Sequence, residues 1–213
     1  PVASGPAAVG AVITFGSFNR AEKLMPPTID AWAAILLQVP ESRLLLKARA
    51  YDDAATRDKV TECFVAAGVA AERLVFRGIS SHGQMLAEYG DLDIALDPFP
   101  FNGGMTTLEA LWMGVPVVAL AGEGVVSRQS LALLANIGLA ELAFPSVPAY
   151  VAGAVALASD AETRARLRRE LRSRLAASPV CQPAVFTRDL EDLFRRMWRA
   201  RCAGERLPSD IDG

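Results

Sequence analysis

The sequence predicts an α/β protein, a Rossmann-like open parallel sheet with flanking helices. Short runs rich in β-branched and aliphatic residues alternate with stretches whose apolar positions recur at helical spacing, each pair separated by Gly, Pro or polar turns. After the fifth run the pattern turns to helices alone. With 213 residues, 52% of them hydrophobic and 22% charged, the chain can bury one sizeable core and is unlike a disordered chain. No linker divides it, so residues 1–213 read as one lobe, with the sheet over about 10–145 and closing helices over about 146–205.

Val12-Ile13-Thr14-Phe15 reads as a buried strand that stops at Gly16. Pro26-Pro27-Thr28 opens a helix whose stripe is Ile29, Trp32, Ile35 and Leu36, ended by Pro40. A second unit follows, Arg43–Lys47 as strand and Asp53 to Ala67 as helix, with Val60 and Phe64 on one face and Gly68 as its stop. Arg73–Phe76 is a third strand. A short helix from Gln84 to Tyr89 leads to Leu92–Leu96, whose apolar character suits a central parallel position. Helix residues Met105 to Met113, stopped by Gly114, precede the fifth strand, Pro116–Leu120. The segments 127–137, 149–158, 161–176 and 187–203 read as helices. In the third of these, Arg164, Arg166, Arg168, Arg169, Arg172 and Arg174 read as the solvated side of an amphipathic helix whose other side is Leu167, Leu171 and Leu175. The last helix, with Leu190, Leu193, Phe194, Met197 and Trp198, is expected to pack as core or against a further lobe.

A formal charge of -2 argues against a general nucleic-acid binder, because phosphate-backbone affinity needs a basic face. Cys63, Cys181 and Cys202 are odd in number and share a single His82, which fits neither a disulfide framework nor a zinc site; a reducing cytoplasm is the expected home. No apolar run is long enough to cross a bilayer, and the opening Pro1-Val2-Ala3-Ser4-Gly5-Pro6 lacks a secretory pattern. The missing initiator Met suggests a fragment.

In an open parallel sheet, ligands gather beyond the carboxyl ends of the strands. Asn102-Gly103-Gly104-Met105-Thr106-Thr107 is expected there. Its two glycines let backbone approach a ligand, the helix end offers free N–H groups and a partial positive charge, and Thr106 and Thr107 add hydroxyls. The alternative is a plain tight turn with Thr106 as a cap. Glu109 could accept from ribose hydroxyls or simply complement the helix dipole. Lys23, after the first strand's loop, could neutralise a departing diphosphate or be a solvated surface lysine.

Taken in order, Phe15-Gly16-Ser17-Phe18-Asn19, Lys23, Asp93–Asp97, Asn102-Gly103-Gly104, Thr106-Thr107 and Leu111–Val118 resemble the bacterial O-linked N-acetylglucosamine transferase and SPINDLY-type family. The likeness continues through Gly122-Glu123, Ser127-Arg128, Ser178-Pro179 and Met197-Trp198, nearly the whole chain. It implies a GT-B architecture of two Rossmann-like lobes, of which this chain would be the carboxy-terminal, donor-binding one. The amino-terminal lobe and tetratricopeptide repeats would lie elsewhere and engage the protein acceptor.

By position, the resemblance makes Lys23 the catalytic residue that contacts the diphosphate. Arg20 stands on the phosphate side, and Gly103, Gly104, Met105, Thr106 and Thr107 form the diphosphate turn. Glu109 takes the place of a ribose-binding aspartate, one methylene longer, and Ser80 and His82 border the uracil. Two residues depart from the family pattern: Met85 stands where a histidine is usual, and Met105 where bacterial members have a threonine. The implied reaction moves a sugar, N-acetylglucosamine first, from a UDP-sugar to Ser or Thr of a protein, with no metal or other cofactor. Fucose from a GDP-sugar, glucose from UDP-glucose, or binding without catalysis are the alternatives. The fragment is expected to bind donor without turnover. His82 is read as a nucleobase contact or an exposed loop residue, not a catalytic base.

Overall fold

A computed structural model describes residues 12–205. Six strands, β1 (Thr14–Ser17), β2 (Arg43–Lys47), β3 (Leu74–Arg77), β4 (Ile94–Leu96), β5 (Val117–Leu120) and β6 (Ala143–Phe144), form one sheet in the order β3-β2-β1-β4-β5-β6, and every pairing is parallel. Helices α1 (Pro26–Gln38), α2 (Ala54–Ala66), α3 (His82–Glu88), α4 (Met105–Trp112), α5 (Gln129–Asn136), α6 (Val147–Ser159) and α7 (Ala161–Ala177) occupy the connections and close the lobe. The core lies between sheet and helices: Phe15, Leu44, Leu46, Ile94, Leu96 and Val118 meet Trp32, Leu36, Leu111 and Tyr150, all nearly inaccessible to solvent.

The strand order fixes where a ligand can sit. The chain builds outward from β1 through β2 to β3, then returns to lay β4 on the other side of β1, with Phe15 opposite Ile94 and Gly16 opposite Ala95. Right-handed parallel crossovers put the helices before and after such a reversal on opposite faces, which opens a crevice at the carboxyl ends of β1 and β4.

Four expectations need correction. The sheet has six strands, not five; β6 is a two-residue strand beside β5, too short to carry a periodic signal. The first strand runs on through Gly16 instead of stopping there. Gly16 pairs with both neighbours, and a Cβ at this position would collide with the Leu92 side chain and the carbonyl of Leu45, so glycine is what lets the strands close over Leu92.

The arginine face of α7 is not uniformly solvated. Arg164 and Arg168 are buried. Arg164 donates to the carbonyls of Leu157 and Ala158 at the end of α6, Arg168 donates to the carbonyl of Leu92, and Arg172 Nε donates to the carbonyl of Trp112 over 2.6 Å. Carbonyls left without helical partners at chain ends attract such cations.

The chain forms two compact units that divide after Leu175. In the second, a 3-10 turn (Pro179–Cys181) leads into α8 (Pro183–Cys202), which starts a turn earlier than expected and has no buried residue. Phe194 and Trp198, 58% and 70% exposed, are therefore not core. Residues 1–11 and 206–213, which include the opening Pro1–Pro6 segment, lie outside the described residues.

Candidate functional site

The loop after β1 and the loop after β4 meet at the sheet's switch point. Ser17-Phe18-Asn19-Arg20 leaves β1 and enters a 3-10 turn, Ala21–Lys23, that brings Lys23 back over the strand ends. Its Nζ donates to the carbonyl of Asn102 at 2.7 Å and to Oδ1 of Asn19 at 3.1 Å, and lies 4.4 Å from the centre of the Phe101 ring. Asn19 Oδ1 also accepts from Thr106 Oγ1 at 3.1 Å, so one amide side chain joins Lys23 to the first turn of α4. Lys23 is half-buried, not a solvated lysine. Burial lowers its pKa; the Asp97 charge opposes that shift and Arg20 adds to it.

Beneath this cluster, Asp97 follows β4 and is fully buried. Its Oδ1 accepts the Gly103 N–H at 2.7 Å and its Oδ2 accepts the Ser130 hydroxyl at 2.7 Å. Burial pushes its pKa up to about 7 against the pull of those two hydrogen bonds and of Lys23. Thr107 Oγ1 lies 3.0 Å from Ser130 Oγ; with the Ser130 proton given to Asp97, Thr107 is the donor. A Cβ on Gly103 would stand 2.5 Å from Thr107 Oγ1, 2.7 Å from Thr106 Oγ1 and 2.8 Å from Asp97 Oδ1, so only glycine lets the three polar groups converge.

The turn therefore divides its labour. Thr107 is buried and its hydroxyl points to Ser130, which corrects the expectation that it faces a ligand. Thr106 is not a cap; Gly104 occupies that position, and Thr106 donates to Asn19 while its carbonyl accepts from Tyr89 at 3.1 Å. With the Gly103 N–H engaged by Asp97, the N–H groups of Met105 and Thr106 remain as donors at the helix end. Met105 is 68% exposed beside them. A cavity of about 10 Å³ below, lined in part by Ser17, Asn19, Asp97 and Thr106, has room for roughly one water.

The far side of the crevice is built by α3. Ser81 caps it in a reciprocal box with Gln84, which makes His82 its first residue, not part of a loop as expected. His82 Nε2 lies 3.2 Å from Oε1 of Glu109, one turn into α4. The pair spans two helices, with His82 exposed and the Glu109 side chain only 15% exposed. Met85 is partly buried against the core. The Ser80 hydroxyl is buried with no hydrogen-bond partner, and Arg20 stays exposed at the start of its 3-10 turn.

The sequence reading missed Asp97, Asn19, Ser130 and Phe101 as parts of the site. Asp97 carried a signal, a carboxylate at the carboxyl end of a fully apolar strand; Ser130 carried none. Among the described residues no group of three or more His, Cys, Asp or Glu side chains is arranged to hold a metal ion. The pair Asp91-Leu92-Asp93 lies at the amino end of β4, on the opposite edge of the sheet.

An all-parallel sheet in this order, with helices in the connections, defines a Rossmann-like lobe of the GT-B glycosyltransferase type. The sequence profile of glycosyl transferase family 41 matches residues 8–190, and the chain belongs to that family. It is 38% identical over 211 residues to the Petunia hybrida protein named "Probable UDP-N-acetylglucosamine--peptide N-acetylglucosaminyltransferase SPINDLY", a match covering 98% of this chain and 22% of that protein. A Caenorhabditis elegans UDP-N-acetylglucosamine–peptide N-acetylglucosaminyltransferase is 30% identical over 198 residues, 93% of this chain and 17% of its own length. A solved mutant of the Thermobaculum terrenum O-GlcNAc transferase superposes with a TM-score of 0.84 at 40% identity, covering 96% of this chain and 39% of that one. The chain thus spans about a fifth of the curated relatives it matches.

Proposed function

We propose that this chain is the donor-binding part of a protein glycosyltransferase that takes N-acetylglucosamine from UDP-N-acetylglucosamine and delivers it to Ser or Thr of an acceptor protein. The observation that carries this reading is the position of Lys23, half-buried, 2.7 Å from the Asn102 carbonyl and beside the free N–H groups of α4. A diphosphate laid across that helix end meets the lysine ammonium and the helix dipole together, and both grow in value as charge develops on the leaving group. In this reading Lys23 stabilises the departing diphosphate, Gly104, Met105 and Thr106 offer the helix end, and Arg20 flanks the phosphates. Glu109 accepts from ribose hydroxyls, and Ser80, His82 and Met85 border the base.

The names of the relatives support a UDP-sugar donor and a peptide acceptor. In this proposal no metal takes part, and Lys23 and the helix end carry the charge. The acceptor is held by an amino-terminal lobe and tetratricopeptide repeats of a longer protein, and neither nucleic acid nor membrane is a partner. No described helix is long and apolar enough to cross a membrane. The three free, exposed cysteines support a reducing, cytoplasmic setting.

Calorimetry with UDP on this chain and on Lys23→Ala tests the site. The expected result is binding by the first and at least tenfold weaker binding by the second, with neither transferring sugar. Absence of binding at millimolar UDP by the folded chain would remove the proposal. Preference for a guanosine nucleotide would redirect it to a GDP-sugar donor.

A further inference from the structure

Lys23 Nζ donates to the carbonyl of Asn102, and Asp97 Oδ1 accepts the N–H of Gly103, each over 2.7 Å. These are the two ends of one peptide group, the bond between residues 102 and 103. A cation holds its oxygen and a carboxylate holds its hydrogen. Charge-assisted hydrogen bonds at both ends of an amide reinforce one another through its polarisation and fix the amide plane.

We propose that Asp97 is a positioning residue for the donor diphosphate, acting through the 102–103 peptide group on Lys23 and on the start of α4. The inference rests on the donor-site reading above and assigns a task to a residue outside the contact set. Asp97 is too deep to touch a ligand: it is 2% exposed, and a lysine, a glycine turn and Ser130 lie above it. Its second oxygen fixes Ser130, which receives Thr107, so the carboxylate ties down both sides of the glycine turn.

Its backbone is held as firmly as its side chain. The Asp97 carbonyl accepts from Tyr150 Oη at 3.2 Å, and Tyr150 Oη accepts from Trp32 Nε1 at 2.8 Å, a buried chain that anchors the end of β4. The charged groups facing Lys23 are Asp97, which favours its ammonium form, and Arg20, which opposes it. A neutral residue of the same shape at 97 would keep the turn and remove the carboxylate whose charge opposes the lowering of the Lys23 pKa by burial.

Asp97→Asn is that residue: its amide oxygen can still accept from Gly103, and its NH₂ can donate to Ser130. The chain contains only three lysines, Lys23, Lys47 and Lys59, so the ε-carbon resonances can be followed singly between pH 7 and 12. The expected result is a lower titration midpoint for Lys23 in Asp97→Asn than in wild type, and UDP affinity at pH 8 about tenfold weaker.

A folded Asp97→Asn that only melts earlier, with Lys23 titrating as before and UDP binding unchanged, would show a purely structural carboxylate and overturn the proposal. Should the variant not fold, the wild-type chain decides: the Gly103 amide proton and the Lys23 ε-carbon must shift together as the carboxylate ionises. Independent movement refutes the coupling. If the wild-type chain binds no UDP but the coupling is present, the donor-site reading fails while the Lys23–Asp97 link stands.

Discussion

The Nε2 atom of His82 lies 3.2 Å from Oε1 of Glu109, which ties the first residue of α3 to the second turn of α4 across the mouth of the crevice. Glu109 is the better sheltered partner, with its side chain 15% exposed against 72% for His82. A sheltered carboxylate oriented by an exposed imidazole is suited to accept from a vicinal diol.

Glu109→Ala should weaken UDP binding about tenfold to a hundredfold, the range expected for lost hydrogen bonds to a charged group. His82→Ala should cost less, about threefold, because it removes only the orienting partner from a solvent-exposed position. Calorimetry on both variants checks the order, and a larger loss for His82→Ala would show that the imidazole, not the carboxylate, makes the main contact.

Gly103→Ala should destabilise the chain by about 2 kcal/mol or more and abolish UDP binding, since the new methyl group meets three polar atoms at 2.5–2.8 Å and must break the Asp97 bond to relieve the overlap. Gly104→Ala, whose added atom meets only the Gln129 side-chain oxygen at 3.0 Å, should be milder. Chemical denaturation of the two variants gives the comparison.

Asp97 makes stability depend on pH. Its folded pKa, about 7, exceeds the ordinary carboxyl value near 3.8, so between those limits the folded chain binds the extra proton. Stability from this group is full below about pH 4 and is lost as pH rises through 7, at roughly 1.4 kcal/mol per unit, about 4 kcal/mol in all. Urea denaturation from pH 4.5 to 8 should show wild type losing stability relative to Asp97→Asn. An equal pH dependence in the two chains contradicts this.

Arg168→Leu should cost about 2–4 kcal/mol, because it strips a buried charged donor from the Leu92 carbonyl, while Arg166→Ala, which loses a surface pair with Glu170 at 3.6 Å, should change stability by less than about 0.5 kcal/mol. Thermal melting of the two variants tests the division of the arginine face.

Much of the fold was legible because each signal was local. The Ile29, Trp32, Ile35 and Leu36 spacing, and the left-handed stops Gly68 (φ 89°) and Gly114 (φ 80°), need only neighbours in sequence to specify a helix and its end. β6 and the continuation of β1 through Gly16 were not legible, since both depend on a neighbouring strand. The arginine face of α7 misled for the same reason: Arg164 and Arg166 look alike in a pattern, and only the carbonyls at the end of α6 tell them apart.

The sequence by itself determined the alternation of strands and helices, the parallel sheet, the family resemblance and the segments that converge at the crevice, because these are written in periodicity, turn residues and ordered motifs. Only the tertiary structure decided which polar atoms face outward. Thr106 and Thr107 are adjacent and chemically identical, yet a helix turns 100° per residue, so one meets Asn19 at the crevice and the other Ser130 inside. The grip of Lys23 and Asp97 on a single peptide group likewise needs β1 and β4 side by side, and the Lys23–Asn102 contact joins residues 79 positions apart, which no local pattern encodes.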